Sequence, residues 1–407
     1  AAADRRNQND NRGQNHPVFP HKTSPHRWTG TQLKVQGTIV YVANRVRYAE
    51  LADIARTRTT GSRLFLAFYR IVVFVPGDLT AAGFPCCGLR SDEIGRFHRP
   101  CYNDRMKRRL AQLPLHSGKA PPWLFQRMTK LAGAITMAIV DEFGPEEMLQ
   151  RLADPWWFQA FGCVLGFDWH SSGVTTVTCG AMKEAARHHG QDLGILVAGG
   201  KGGVSRKTPQ EIAAAAERYA ISGGERLIYA SRMSAKVDSA AVQDGFDLYH
   251  HAFFFTPQGP WCVVQQGMNE QSGWARRYHW LGEGPVDFVC DPHRAVCCDS
   301  RGEALNLVAR EGEANRAAST SLASEPPDRV LREIGGIDRL DLPARHAVTH
   351  EEISAAHLHR ILLKTYEQRP ADFEALLGTA GVGAKTLRAL ALLSELLYGA
   401  KPSFRDP

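Results

Sequence analysis

Residues 371–398 (ADFEALLGTAGVGAKTLRALALLSELLY) hold two amphipathic segments separated by Gly381-Val382-Gly383. Glycines permit positive φ and remove the side chains that would keep a ligand from the backbone. A helix beginning just behind them carries unpaired N–H groups and the positive end of its dipole. Leu377 before the turn, Val382 within it, and Leu387, Leu390 and Leu393 after it fall where they can pack the two segments together, with Ala389 small enough for close approach. The spacing predicts a helical hairpin over 376–398 whose turn presents Gly381, Val382, Gly383, Lys385 and Thr386 to an anion, most naturally a phosphate. The alternative is a hairpin whose glycines only tighten a turn.

The net charge of +7 does not add to this case, because of where it lies. Residues 1–105 carry 16 Lys and Arg against 8 Asp and Glu, whereas residues 106–407 carry 33 against 34. An argument for a nucleic-acid partner must therefore come from local motifs. The longest apolar run, 64–75 (LFLAFYRIVVFV), is about half the roughly 20 residues needed to cross a bilayer and contains Arg70, so no membrane span is predicted. The polar N-terminus does not read as a secretory signal, which makes the cytoplasm the expected compartment. Nine cysteines form no CxxC pair and read as reduced thiols. Cys290, His293 and Cys297 have the soft-ligand chemistry zinc prefers, but Cys298 adjoins Cys297 and no second pair follows at finger spacing. Loop thiols are the alternative; no metal and no cofactor are predicted.

The pattern along the chain predicts an α+β fold: a mixed main domain over 106–310, a linker over 311–327, and an all-helical domain over 328–407. The first 30 residues are too poor in apolar side chains to offset chain entropy and are predicted to be disordered. Fourteen of the 16 cations before residue 106 are Arg, a skew consistent with a native start at Met106. Helices are expected near 124–139, 145–153, 155–165 and 174–189, followed by a strand over 192–198. Thr208-Pro209-Gln210-Glu211 reads as a capping box opening a helix to about residue 219. A longer helix is expected over 225–249, then a hairpin of 251–255 and 261–265 joined by five residues.

Several polar clusters exceed what a packed core requires. Lys201, Arg206 and Lys207 lie in a glycine-rich stretch between a strand and a helix, either an anion-binding loop or a solvated one. It is not a Walker A sequence, because Arg206 stands where glycine must precede the lysine. Asp168 and His170 form either an acid/base pair at a helix entry or an exposed pair beside a capping serine. Asp238 and Asp244 sit on the expected long helix. Gln265, Gln266 and Asn269, placed at the exit of the second hairpin strand, precede Arg276, Arg277, Tyr278 and His279. Arginines interleaved with aromatics can clamp phosphate and stack on bases, so this face is the expected nucleic-acid contact.

The terminal Gly-Val-Gly-x-Lys-Thr resembles the helix-hairpin-helix motif of DNA glycosylases, which implies contact with DNA backbone. In lyase-type members of that superfamily the equivalent lysine attacks the sugar, assisted by a later aspartate; Lys385 and Asp406 are the residues here that resemble them. Lys385 alternatively only contacts phosphate. The segments 113–125, 165–176, 199–209, 235–251 and 263–280, with the hairpin, resemble an archaeal and bacterial family known as domain of unknown function seven-six-three. The likeness runs from about Met106 to Pro407, and it implies a further Gly-rich, charged segment after 404–407. Together these readings imply a DNA-binding protein of DNA repair, with base excision by a glycosylase as the leading expectation and Lys385, Asp406, Asp168 and Asp238 as catalytic candidates. The alternatives are a metal-dependent nuclease using Asp168, Asp238 and Asp244, and a DNA-binding protein without catalysis.

Overall fold

Three consecutive phenylalanines, Phe253, Phe254 and Phe255, are all fully shielded from solvent. Side chains alternate between faces along a strand, so such a run fits only where both faces of the sheet are covered. The computed structural model describes residues 32–35, 38–41, 108–110, 113–115, 120–168, 171–299, 302–336 and 355–407. The first 30 residues, the apolar run 64–75 and the start at Met106 lie outside these residues.

β1 (Gln32–Val35) and β2 (Thr38–Tyr41) form an antiparallel pair by themselves. The rest begins with β3 (Arg108–Leu110) and four helices, α1 (Pro122–Phe143), α2 (Pro145–Ala153), α3 (Pro155–Val164) and α4 (Gly173–His189). Proline opens each of the first three, where its missing N–H costs nothing. β4 (Leu196–Lys201), α5 (Thr208–Arg218), α6 (Gly224–Lys236) and β5 (Val242–Gln243) follow. Then come β6 (Asp247–Phe255), β7 (Trp261–Asn269), β8 (Trp274–Gly282), β9 (Ala295–Cys298) and β10 (Leu305–Asn306). The chain ends with α7 (Glu313–Ala323), α8 (Pro327–Gly336), α9 (Ala355–Gln368), α10 (Phe373–Gly378) and α11 (Ala384–Tyr398).

Six strands form one sheet in the order β3-β9-β8-β7-β6-β4, antiparallel throughout except for β3 on β9. On one face Met128, Leu149, Phe158, Phe161 and Met182 from α1 to α4 pack onto Ala252, Phe254, Cys262 and Val264. On the other, Ile212, Leu227 and Met233 join Leu376, Leu387 and Leu390 of the terminal helices against Phe253, Phe255, Val263, Tyr278 and Trp280. The architecture is thus α+β, with helices on both faces of a mostly antiparallel sheet. Among the described residues no helix is long and apolar enough to cross a membrane.

The structure departs from the sequence reading in four places. The helix expected to reach residue 249 stops at Lys236, passes through a π turn at Val237–Ala241, and gives way to strands. Gly245, at φ +83°, breaks any continuation. Residues 311–327, expected as a linker, contain α7, whose small polar side chains serve packing rather than flexibility. Thr320 Oγ1 donates to Arg316 O at 2.9 Å, Ser319 Oγ meets Ser394 Oγ at 3.1 Å, and Asn315 Nδ2 donates to Ala391 O at 2.9 Å. The helices after residue 327 therefore share the core of the main body instead of forming a second one. The capping box does not form either, because Glu211 turns to the strand, accepting from Gly199 N–H at 2.7 Å.

Replacing Phe254, at the centre of the covered face, by Ala should cost about 3–5 kcal/mol, read as a lower denaturation midpoint with an unchanged denaturant slope.

Candidate functional site

The turn 379–383 between α10 and α11 has two chemically distinct sides. On its carbonyl side the Lys236 ammonium donates to Thr379 O and Val382 O, and burial lowers the lysine's pKa. Gln243 Nε2 donates to Ala384 O at 2.9 Å while its Oε1 accepts from Arg388 Nε at 2.7 Å. Val382 and Thr386 are buried, and they fix the turn to the body. On the other side Gly381 and Lys385 are exposed. Gly381 sits at φ +99°, which an L side chain resists. Gly383 is the N-cap of α11, without a side-chain cap and with no acidic residue in the first turn. A Cβ built on Gly383 meets nothing within 4 Å. The turn is bolted down through its carbonyls and open at the helix N-terminus, where an anion is favoured.

The glycine-rich loop leaves the sheet at β4, where Lys201 pairs with His250. Gly199 has φ +88°, and a Cβ there would stand 2.2 Å from His251 O, so only glycine fits. Lys201, Arg206 and Lys207 are all exposed. Asp168 is also exposed, while His170 lies outside the described residues. Ser171 Oγ accepts from Gly173 N–H at 3.0 Å, so this serine closes the entry of α4. Asn269 Oδ1 accepts from Ser272 N–H at 2.9 Å and shapes the turn between β7 and β8.

The expected base-contacting face is interior. Gln265, Gln266, Arg277, Tyr278 and His279 are fully buried and Arg276 is 2% exposed. The reason is that β7 and β8 are central strands with helices on both sides, so their polar side chains must be satisfied within the protein. Gln265 Nε2 donates to Asp238 Oδ2 at 2.5 Å and to Ser234 O at 3.2 Å, which leaves its Oε1 for His251 Nδ1 at 2.8 Å. His251 Nδ1 must then carry the proton, and its Nε2 accepts from Ser231 Oγ at 2.9 Å. Asp238 also receives Trp280 Nε1 at 2.9 Å and His293 Nε2.

On the opposite face Arg277 donates to Gln159 Oε1 at 2.9 Å, Thr175 Oγ1 at 3.3 Å, Pro155 O at 3.4 Å and His279 Nε2 at 2.9 Å, and it also bonds the Cys297 thiol. Its guanidinium lies 4.7 Å from the Phe158 ring centre, and burial lowers its pKa. His279 donates from Nδ1 to Leu152 O at 3.0 Å, and burial followed by the Arg277 charge holds it neutral, well below the usual range. Gln266 bridges Tyr249 OH and Ser172 O.

Arg276 clamps two carboxylates, Asp244 at 2.9 Å and Asp406 at 2.7 and 3.1 Å. Burial opposes its charge, but Asp244, Tyr278, Cys298 and Asp406 raise its pKa above the ordinary value. Asp406 also accepts from Gly302 N–H at 2.9 Å. Of the four catalytic candidates, Asp238 and Asp406 are thus committed inside the protein, while Lys385 and Asp168 face solvent. His293 is taken up by Asp238, and Cys297 is buried in β9; among the described residues no three His, Cys, Asp or Glu side chains are grouped to hold a metal ion.

Sequence reasoning missed Lys236, Gln243, Lys183 and His250. The first two fall within the helix expected over 225–249, where polar side chains ordinarily form a solvated face. Lys183 and Arg187, one turn apart on the helix before a glycine-rich strand, carried a usable signal.

The sheet with helices on both faces and the helical C-terminal region define an α+β protein of mixed architecture. Residues 109–407 match the family described as protein of unknown function (DUF763), and the chain belongs to that family. No curated protein and no solved structure matches the chain.

Two outcomes follow from the buried groups. Arg276→Met strands two buried carboxylates and should cost about 3–5 kcal/mol in equilibrium unfolding. His250, His251 and His279 are all shifted down, chiefly by burial, His250 to about 3. The unfolded chain then binds protons that the folded one does not as pH falls below about 6.5, so stability should drop with acid by up to about 1.4 kcal/mol per pH unit per histidine. Denaturant melts at several pH values measure the slope, and for His250 it should persist down to about pH 3.

Proposed function

We propose that the chain binds DNA through its sugar–phosphate backbone, with the turn 379–383 and the first turn of α11 as the grip. The observation that carries this is the two-sidedness of the turn: its carbonyls and that of Ala384 are held by Lys236 and Gln243, while Gly381 and Lys385 are exposed beside a helix start that has no side-chain cap. A phosphate meeting that end gains the helix dipole and the Lys385 charge. The likeness of Gly-Val-Gly-x-Lys-Thr to the helix-hairpin-helix of DNA glycosylases favours DNA over a small anion and points towards repair. Contacts of this kind position a duplex without reading its sequence.

Binding is favoured over the two catalytic readings on a specific ground. Base excision through Lys385 would need Asp406 as its assisting carboxylate, and Asp406 already accepts from Arg276 and Gly302 N–H. A metal-dependent nuclease would need Asp238 and Asp244 facing a common ion, but Asp238 is enclosed by Gln265, Trp280 and His293, and Asp244 by Arg276 and Tyr278. Lys385 is accordingly assigned to phosphate contact.

Fluorescence anisotropy with a short labelled duplex tests the grip. Affinity should fall linearly on a log–log plot against salt, and Lys385→Ala should weaken binding severalfold while reducing that slope by about one phosphate contact. Gly383→Asp is the decisive variant. An aspartate in place of glycine at an N-cap stabilises a helix by a few tenths of a kcal/mol, so the melting temperature should hold or rise slightly while DNA affinity drops at least tenfold. Full-strength binding by this variant would refute the grip. Borohydride added to a mixture with abasic duplex should trap no adduct; a covalent product that depends on Lys385 would return base excision to the front.

A further inference from the structure

A recess of about 360 Å³ lies between α4 and β4, lined among others by Lys183, Glu184, Arg187, Gly200, Lys201 and Val204. We propose that this recess is a binding site for a phosphate monoester, the terminal phosphate of a nucleotide or of a nucleic-acid strand. Its size suits one phosphate group with a small body and lies at the lower end of small-molecule pockets, whereas a continuous backbone requires an open groove.

The cations are held in place by the fold. Lys183 Nζ donates to Gly199 O and to Glu211 Oε2, both at 2.6 Å, so one of its three N–H groups is left for the recess. The same Glu211 oxygen accepts from Gly199 N–H, which locks strand, lysine and α5 together. Arg187 stands one turn further along α4 and is exposed, 3.4 Å from Glu184. Lys201 enters from the sheet edge, its ammonium 5.7 Å from the centre of the Tyr249 ring. Gly200 lines the recess, and Gly202 and Gly203, just outside its lining, have open space where a Cβ would stand, so no side chain at these positions shields the loop backbone from an incoming oxygen.

An independent observation comes from His250. It is 1% exposed, and neither ring nitrogen has a hydrogen-bond partner. Its register places it opposite Lys201, on the same sheet face as Ala252, which lines the recess. A buried imidazole with two unmet nitrogens is costly unless something supplies a partner, and an oxygen-rich anion with its waters does so. Charge and bare backbone meet at the recess, and the unmet histidine lies on the same sheet face as its floor at Ala252.

This site does not depend on the hairpin, so either can fail alone. The experiment titrates the full chain with inorganic phosphate and with a nucleoside 5′-monophosphate by calorimetry, and compares 5′-phosphorylated with 5′-hydroxyl single strands by anisotropy. Saturable phosphate binding is expected, weakened about tenfold by Lys201→Ala or Arg187→Ala and abolished by Gly203→Asp, with melting temperatures unchanged in phosphate-free buffer. A histidine ring resonance lost in His250→Gln should shift on phosphate addition. If the ligand is a strand end, the phosphorylated oligonucleotide outcompetes its hydroxyl twin and Lys201→Ala erases the difference. If it is a free nucleotide, the two strands bind alike and the monophosphate binds more tightly than either. Equal behaviour of wild type and all three recess variants towards phosphate, monophosphate and phosphorylated strand would overturn the proposal, even if the duplex still bound at the hairpin.

Discussion

The covering of the six-stranded sheet on both faces is the constraint from which most of the structure follows. Removed from water on each side, a polar side chain on β7 or β8 costs several kcal/mol unless it finds partners inside. The chain answers with a separate network on each face. Gln265, Asp238, His251 and Ser231 form one, and Arg277, Gln159, Thr175 and His279 the other. Each fixes a proton position: the two acceptors around Gln265 Nε2 dictate the His251 tautomer, and Arg277 dictates that of His279. Neither network needs a ligand to be satisfied, which makes both of them structural. A surface that meets another molecule then falls at the sheet edge and among the loops and helices around it.

Much of this was legible in the sequence, and its failures share one cause. The helices opened by Pro145 and Pro155 and the aromatic strand pair could be read because local signals and burial agree there. The helices at 373–378 and 384–398 were readable for the same reason: Leu377, Val382 and Leu387 all fall in one buried cluster. The rows Gln-Gln at 265–266 and Arg-Arg-Tyr-His at 276–279 misled because dense polarity usually marks solvent. Period-two alternation would have split each row between two faces, but it cannot say that both faces are covered. The same ignorance of neighbours turned α7 into a linker, since Ser, Thr and Asn read as flexible until α11 is known to lie against them.

Arg276 illustrates how distant parts of the chain are tied by one buried charge. It collects Asp244 from the segment between β5 and β6 and Asp406 from the C-terminus, and Tyr278 donates to the same Asp244 at 2.7 Å. A lone buried arginine would be costly, but two carboxylates and the Phe246 face offset that desolvation. Specificity of arrangement, more than net stability, is what such a cluster contributes.

The short segment from Lys236 to Asp244 connects this interior to the proposed grip. In a helical turn, side chains two residues apart point to nearly opposite sides, so Lys236 reaches out to the carbonyls of the turn 379–383 while Asp238 turns in towards Gln265 and Trp280. Gln243 and Asp244 repeat the division one strand later, one holding Ala384 and Arg388, the other Arg276. The orientation of the turn 379–383 is thus set by residues whose immediate neighbours are locked by the buried networks. A turn held this way cannot swing to meet a ligand. Its glycines and helix start are presented in a fixed direction, and rigid presentation of backbone N–H groups would lower the ordering cost of the grip proposed for it.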